Sequence, residues 1–291
     1  MAIFAQTAHN YLLSLMSATA LLKVAFFFMA WTTFWFPLAI PIAILLKWHP
    51  SKPLAAEQKL PLLASLYLIA PLIVWGATWV EGVSFSEYGL TWKLSLFISL
   101  GGGFILGVMS LAIAFFCQWL LGWIEWQSVN LASLGTLGLS ILMLALWIAI
   151  TEELVFRGFL VNELQQDYSI GVTAIISSLI FALLHLIWEQ ENTLPQLPGL
   201  WLMGMVLVLA RYVDGGSLGL PWGLHAGWIW GLTCLQEGKL ISYTGKAATW
   251  ITGLQGNPLA GMVGFLCLLA VGGLLFMIAI APNLFVETIP L

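Results

Sequence analysis

Apolar stretches about as long as a bilayer is thick recur along this chain, at 24–46, 61–80, 94–123, 141–165, 170–188, 199–213, 218–235 and 259–281. A segment lying in hydrocarbon must satisfy all its backbone N–H and C=O groups internally, and among single segments only the helix does so. Composition removes the alternative of a water-soluble fold: 61% of residues are hydrophobic and 8% charged, against about 25% charged in a soluble domain. Mean hydropathy is +0.99. At roughly 20 residues per span plus short loops, 291 residues leave room for about seven to nine helices. The expected fold is an all-α polytopic bundle of about eight transmembrane helices. Residues 1–131 are expected to hold an interfacial segment and the first three spans, residues 132–236 the core with the polar motifs, and residues 237–291 a loop and the last span.

Polar punctuation divides the spans. The segment 47–60 carries Lys47, Lys52 and Lys59 and reads as a loop, and Asp214, Gly215, Gly216 and Ser217 read as a Gly-rich turn. Gly101, Gly102, Gly103 and Gly107 offer small surfaces on which helices can approach closely. Residues 1–10 contain no Lys or Arg, so no charged secretory n-region is expected. Cys117, Cys234 and Cys267 lie singly in apolar runs and read as small buried hydrophobes. A net charge of −4 without a basic stripe excludes nucleic acid as a partner. The partners left are membrane lipid and molecules that live in it.

One stretch breaks the apolar pattern. Thr151, Glu152, Glu153 and Arg157 follow ten apolar residues, 141–150, and precede Phe159, Leu160 and Val161. Each of the three charges costs on the order of 2.5–3.5 kcal/mol at the centre of a membrane helix, so each needs a partner and a function. Glu153 and Arg157 are four apart on one face and are expected to neutralise each other. Glu152 lies about 100° around the helix, out of easy reach of Arg157, and is the carboxylate left for chemistry.

Two histidines, His185 and His225, also fall inside spans. A lone histidine in an apolar helix is ordinarily an interhelical hydrogen bonder, but two beside an unpaired carboxylate suffice for hydrolysis. The carboxylate takes the proton of a water that one imidazole orients, and a second donor steadies the oxyanion formed at the carbonyl.

The pattern Glu152-Glu153-x-x-x-Arg157, then Phe181-x-x-x-His185, then Gly204, Arg211, Gly215, Gly216, Ser217 and Leu218 leading into Gly223-Leu224-His225-Ala226, resembles the CPBP intramembrane endopeptidases. These include CAAX prenyl-protein proteases and proteins of bacteriocin processing and immunity. The resemblance covers about residues 139–230. It implies that Glu152 is the general base, that His185 helps position the water, and that His225 belongs to the oxyanion side, with Glu153, Arg157 and Phe181 supporting. It implies no cofactor and no metal. The family places Asn or Asp four residues after the last histidine, where this chain has Ile229.

The implied activity is cleavage of a peptide bond in a membrane-anchored or lipidated substrate, by a multi-pass protein of a bacterial inner membrane or an organelle membrane. Two other readings stay open at this point. Ile229 suits a catalytically silent relative that serves a membrane protein complex as partner or assembly factor. Glu152, His185 and His225 are also residue types that ligate zinc, as in a zinc-dependent membrane protease.

Overall fold

The computed structural model describes residues 17–49, 55–128, 131–187 and 190–286. The interfacial segment expected before Lys23 lies for the most part outside them. Eight long helices form the structure: α1 (Ala20–Leu45), α2 (Ala56–Glu81), α3 (Leu94–Leu120), α4 (Leu131–Glu153, continuing through Leu154–Leu160 and Val161–Asp167), α5 (Ile170–Leu184), α6 (Leu197–Val213), α7 (Gly219–Glu237) and α8 (Met262–Val286). One short antiparallel ribbon joins β1 (Ile124–Trp126) to β2 (Ile241–Tyr243). The chain is thus a multi-pass integral membrane protein built as a helical bundle.

Seven of the described helices are long and apolar enough to cross a membrane by themselves; α7 is not among them. Its sequence, GLPWGLHAGWIWGLTCLQE, is diluted by glycines, a histidine and tryptophans. The ribbon argues for a crossing by α7 as well. β1 follows α3 and β2 follows α7, so both lie on one face of the bundle, and α4 to α7 must make an even number of crossings between them. The polarity of α7 is tolerated because the helix is internal: Gly219, Gly223, Leu224, His225, Ala226, Gly227 and Trp228 are all buried.

Glycines bring α7 against α3. A Cβ at Gly223 would collide with the carbonyl of Leu100, and one at Gly227 would lie 2.6 Å from the carbonyl of Phe104. From the other side, a Cβ on Gly107 would lie 2.6 Å from the carbonyl of Leu224. Gly103-x-x-x-Gly107 thus faces Gly219-x-x-x-Gly223-x-x-x-Gly227, and the two parallel backbones pack directly, as small-residue repeats allow in lipid. Gly101 and Gly102 do not share this role, since a Cβ on either would meet nothing within 4 Å.

Several boundaries differ from the sequence reading, the start of the fourth helix at Leu131 rather than 141 among them. Helix α2 begins at Ala56 rather than Pro61, because the Gln58 side chain turns back to accept the Ala55 N–H at 3.1 Å and so ends the loop early. The fourth helix runs to Asp167, where the carboxylate accepts the Ala20 N–H at the start of α1 at 2.6 Å. Lys23 adds a bond to Gln166 at 2.8 Å and an ion pair to Glu163 at 3.2 Å. In the loop after α2, buried Tyr88 donates to Glu81 at 2.9 Å. Burial, and then the Glu81 charge, pushes that phenol above its usual range, so it stays a donor.

Candidate active site

Helix α4 changes pitch immediately after the acidic doublet. Leu154–Leu160 is a π-helical turn, every residue of it buried. Such turns widen the helix and free carbonyls from the regular ladder, and they occur disproportionately at functional sites. Here neighbouring helices take up two of the carbonyls. Ser177 of α5 donates to Phe156 O at 3.3 Å, and Arg211 of α6 donates through Nη1 to Arg157 O. Arg211 also donates from Nη2 to Asn162 Oδ1 at 2.7 Å and from Nε to Gly216 O at 3.1 Å. The latter bond pins the left-handed turn at Gly215 (φ 62°) and Gly216 (φ 87°). Asp214 in the same turn accepts the Leu220 N–H at 3.0 Å and the Ser99 hydroxyl at 2.6 Å, which fixes where α7 begins and therefore where His225 points.

Glu153 is fully buried at the centre of this arrangement. Its Oε1 accepts from Arg157 Nη1 at 3.0 Å and from His225 Nδ1 at 2.8 Å. Arg157, also fully buried, donates from Nη2 to Gly204 O at 3.3 Å. The expected Glu153–Arg157 pair is present, and His225 joins it as a third member. Because a carboxylate only accepts, His225 carries its hydrogen on Nδ1 and presents Nε2 to the other carboxylate: Nε2 lies 3.6 Å from Glu152 Oε2.

Glu152 is buried and looks away from Arg157. It lines a pocket of about 120 Å³ with Thr151 and Phe156 of α4, Phe28, Trp31 and Thr32 of α1, Leu66 and Tyr67 of α2, and Leu184, His185 and Ile187 at the end of α5. His185 stands on a short turn after α5 (His185–Ile187). Its Nδ1 donates to Phe181 O at 2.8 Å, which leaves Nε2 as the acceptor of the neutral ring. The pocket therefore brings Glu152 and His185 to one space, while His225 lies beside Glu152 Oε2. Phe181 is the hub between them. Its ring lies edge-on to His185 at 4.7 Å and to His225 at 6.1 Å, and the Arg157 guanidinium sits 4.4 Å from its centroid.

Tyr67 is a contributor that the sequence reading missed. Its phenol donates a hydrogen bond to Glu152 Oε1. Nothing in the local sequence of α2 marks it, since a tyrosine in an apolar helix reads as an interfacial or packing residue. Thr151 lines the same pocket, and its buried hydroxyl has no hydrogen-bond partner among the described residues.

At the position of the family's Asn or Asp, Ile229 offers no donor. Trp230 does not replace it, because its indole N–H is committed to Gly138 O at 2.8 Å. The zinc reading lacks a donor set: among the described residues no three of His, Cys, Asp and Glu converge as a metal ion requires.

In comparison with known proteins, the family described as Type II CAAX prenyl endopeptidase Rce1-like matches residues 134–231, the stretch from α4 into α7 that contains Glu152, His185 and His225. No curated protein and no solved structure gives a match.

Proposed function

We propose that this chain, whose residues 134–231 match the Rce1-like family of CAAX-type intramembrane proteases, is a glutamate-dependent endopeptidase hydrolysing a peptide bond of a membrane-anchored or lipidated substrate. The observation that carries this reading is the shared pocket of about 120 Å³ in which Glu152 and His185 meet.

A water in that pocket has two acceptors, the Glu152 carboxylate and His185 Nε2, so both its hydrogens are directed and its lone pair is free for a carbonyl carbon. As the C–O bond forms, the water's proton passes to Glu152 and the carbonyl oxygen becomes an oxyanion. His225 lies beside Glu152, and in its imidazolium form its Nε2–H can donate to that oxygen while Nδ1–H stays with Glu153. Collapse of the tetrahedral adduct breaks the C–N bond, and Glu152 returns its proton to the leaving amine. Glu153 and Arg157 hold His225 and the helix in place, and Phe181 spaces the two imidazoles. The apolar pocket walls keep competing water out, which strengthens each of these interactions. No step calls on a cofactor.

The test is turnover of a quenched-fluorescent, prenylated CAAX peptide by purified full-length protein. Glu152→Gln is expected to reduce turnover by about 10²–10⁴-fold, the usual worth of a general base. Equal turnover in wild type and variant would exclude Glu152 from the reaction.

A second reading, a catalytically silent membrane partner, is favoured by one observation: neither Ile229 nor Trp230 supplies a donor beyond His225. Loss of one oxyanion donor costs about 10²–10³ in rate. Under that reading the chain co-purifies with a membrane complex, and His225→Ala leaves the association intact while no peptide is cut by any variant.

A further inference from the structure

The hydrogen bond on Glu152 Oε1 comes from outside the family-matched region, from Tyr67 of α2. The two carboxylate oxygens of Glu152 thereby differ. Oε1 is occupied by the phenol, whereas Oε2 is the oxygen beside His225 Nε2. The segment bearing Tyr67 is itself held by α1. Trp31 donates its indole N–H to Leu66 O at 3.1 Å, and Trp35 donates to the Ser65 hydroxyl at 2.9 Å. On the α4 side the Tyr67 ring packs edge-on against Trp147 at 6.1 Å. Three indoles thus fix a phenol whose one polar atom meets the one carboxylate that Arg157 does not serve.

We propose that Tyr67 is a positioning residue for Glu152, clamping Oε1 so that Oε2 is the oxygen that receives the proton of the attacking water. The assignment rests on the endopeptidase reading above and adds to it that the N-terminal helix pair completes the site. The phenol keeps its own proton throughout: the proton taken from water resides on Oε2 and leaves with the amine. A clamped carboxylate loses no time sampling rotamers in which neither oxygen reaches the water. A hydroxyl bound to a carboxylate is also of the charge-assisted, stronger kind.

The experiment uses the full-length chain and the same prenylated peptide. Tyr67→Phe keeps the ring and its contact with Trp147 and removes only the hydroxyl. It is expected to lower kcat by about 10- to 100-fold, as suits a hydrogen bond to a charged group, with KM changed less than about twofold because the ring still fills the pocket wall. Tyr67→Ala is expected to regain activity with added p-cresol, which restores a phenol, and not with toluene, which restores only the shape. Rescue by toluene equal to that by p-cresol, or full kcat in Tyr67→Phe alongside an inactive Glu152→Gln, overturns the assignment while leaving the endopeptidase reading standing. Full turnover by Glu152→Gln, or a wild type that leaves the peptide uncut, removes the endopeptidase reading and this assignment with it.

Discussion

Arg157 is fully buried, its charge answered by Glu153 at 3.0 Å, by the Gly204 carbonyl at 3.3 Å and by the face of Phe181 at 4.4 Å. Removing one member of a buried ion pair leaves the other as an uncompensated charge, which typically costs about 3–5 kcal/mol, whereas removing both can be nearly neutral. Arg157→Met is therefore expected to destabilise the detergent-solubilised protein by about that amount. The double variant Glu153→Leu/Arg157→Met is expected to recover part of the loss. Thermal or denaturant unfolding of the two variants beside wild type measures both. A single variant as stable as wild type would mean that this cluster does not hold the bundle together. Glu153 and Arg157 were legible in the sequence because four residues make one helical turn. The place of His225 in the same cluster was not, since 72 residues separate it from Glu153 and only packing of α7 on α4 brings them together.

Among the elements, α7 is the helix whose glycines, histidine and tryptophans are accommodated by burial inside the bundle. Its glycines let it lie directly on α3, and the indole of Trp222 donates to the Leu146 carbonyl on α4 at 2.9 Å. His225, carried between those two contacts, reaches the acidic doublet. The small residues are specific in position. Gly223→Val would drive a side chain into the Leu100 backbone, whereas Gly102→Val would place one in open space. Overpacking of this kind costs about 1–3 kcal/mol or more, so Gly223→Val is expected to lose folded yield and activity while Gly102→Val behaves as wild type. Size-exclusion profiles and melting temperatures of the two variants distinguish them, and equal behaviour would show that the α3–α7 contact tolerates separation. The π-turn of α4 belongs to this scale as well. Nothing in the sequence of Leu154–Leu160 announces the wider pitch, and Ser177 and Arg211 on other helices donate to two of its carbonyls.

For the whole molecule, the ribbon between Glu125 and Ser242 places the loop after α3 and the loop after α7 on one face. The bond from Leu218 N–H to Gly89 O at 2.9 Å places the loop after α2 and the turn before α7 on the other. In a chain freed of its native cysteines, Glu125→Cys and Ser242→Cys are expected to react with an impermeant maleimide from the same side of sealed vesicles. Ser86→Cys is expected to react only from the opposite side. Labelling of all three from one side would contradict eight crossings. The sequence by itself determined that the chain is a helical membrane protein, roughly how many helices it has, and which charges could not be left to lipid, because hydrocarbon penalises every unsatisfied polar group and so writes its rules into local composition. Tertiary structure alone decided that α7 packs backbone to backbone on α3, that Phe181 stands between both imidazoles, and that a phenol from α2 meets Glu152. Those facts depend on contacts between residues far apart in the chain, and a helix-length window of sequence holds no record of what packs against it.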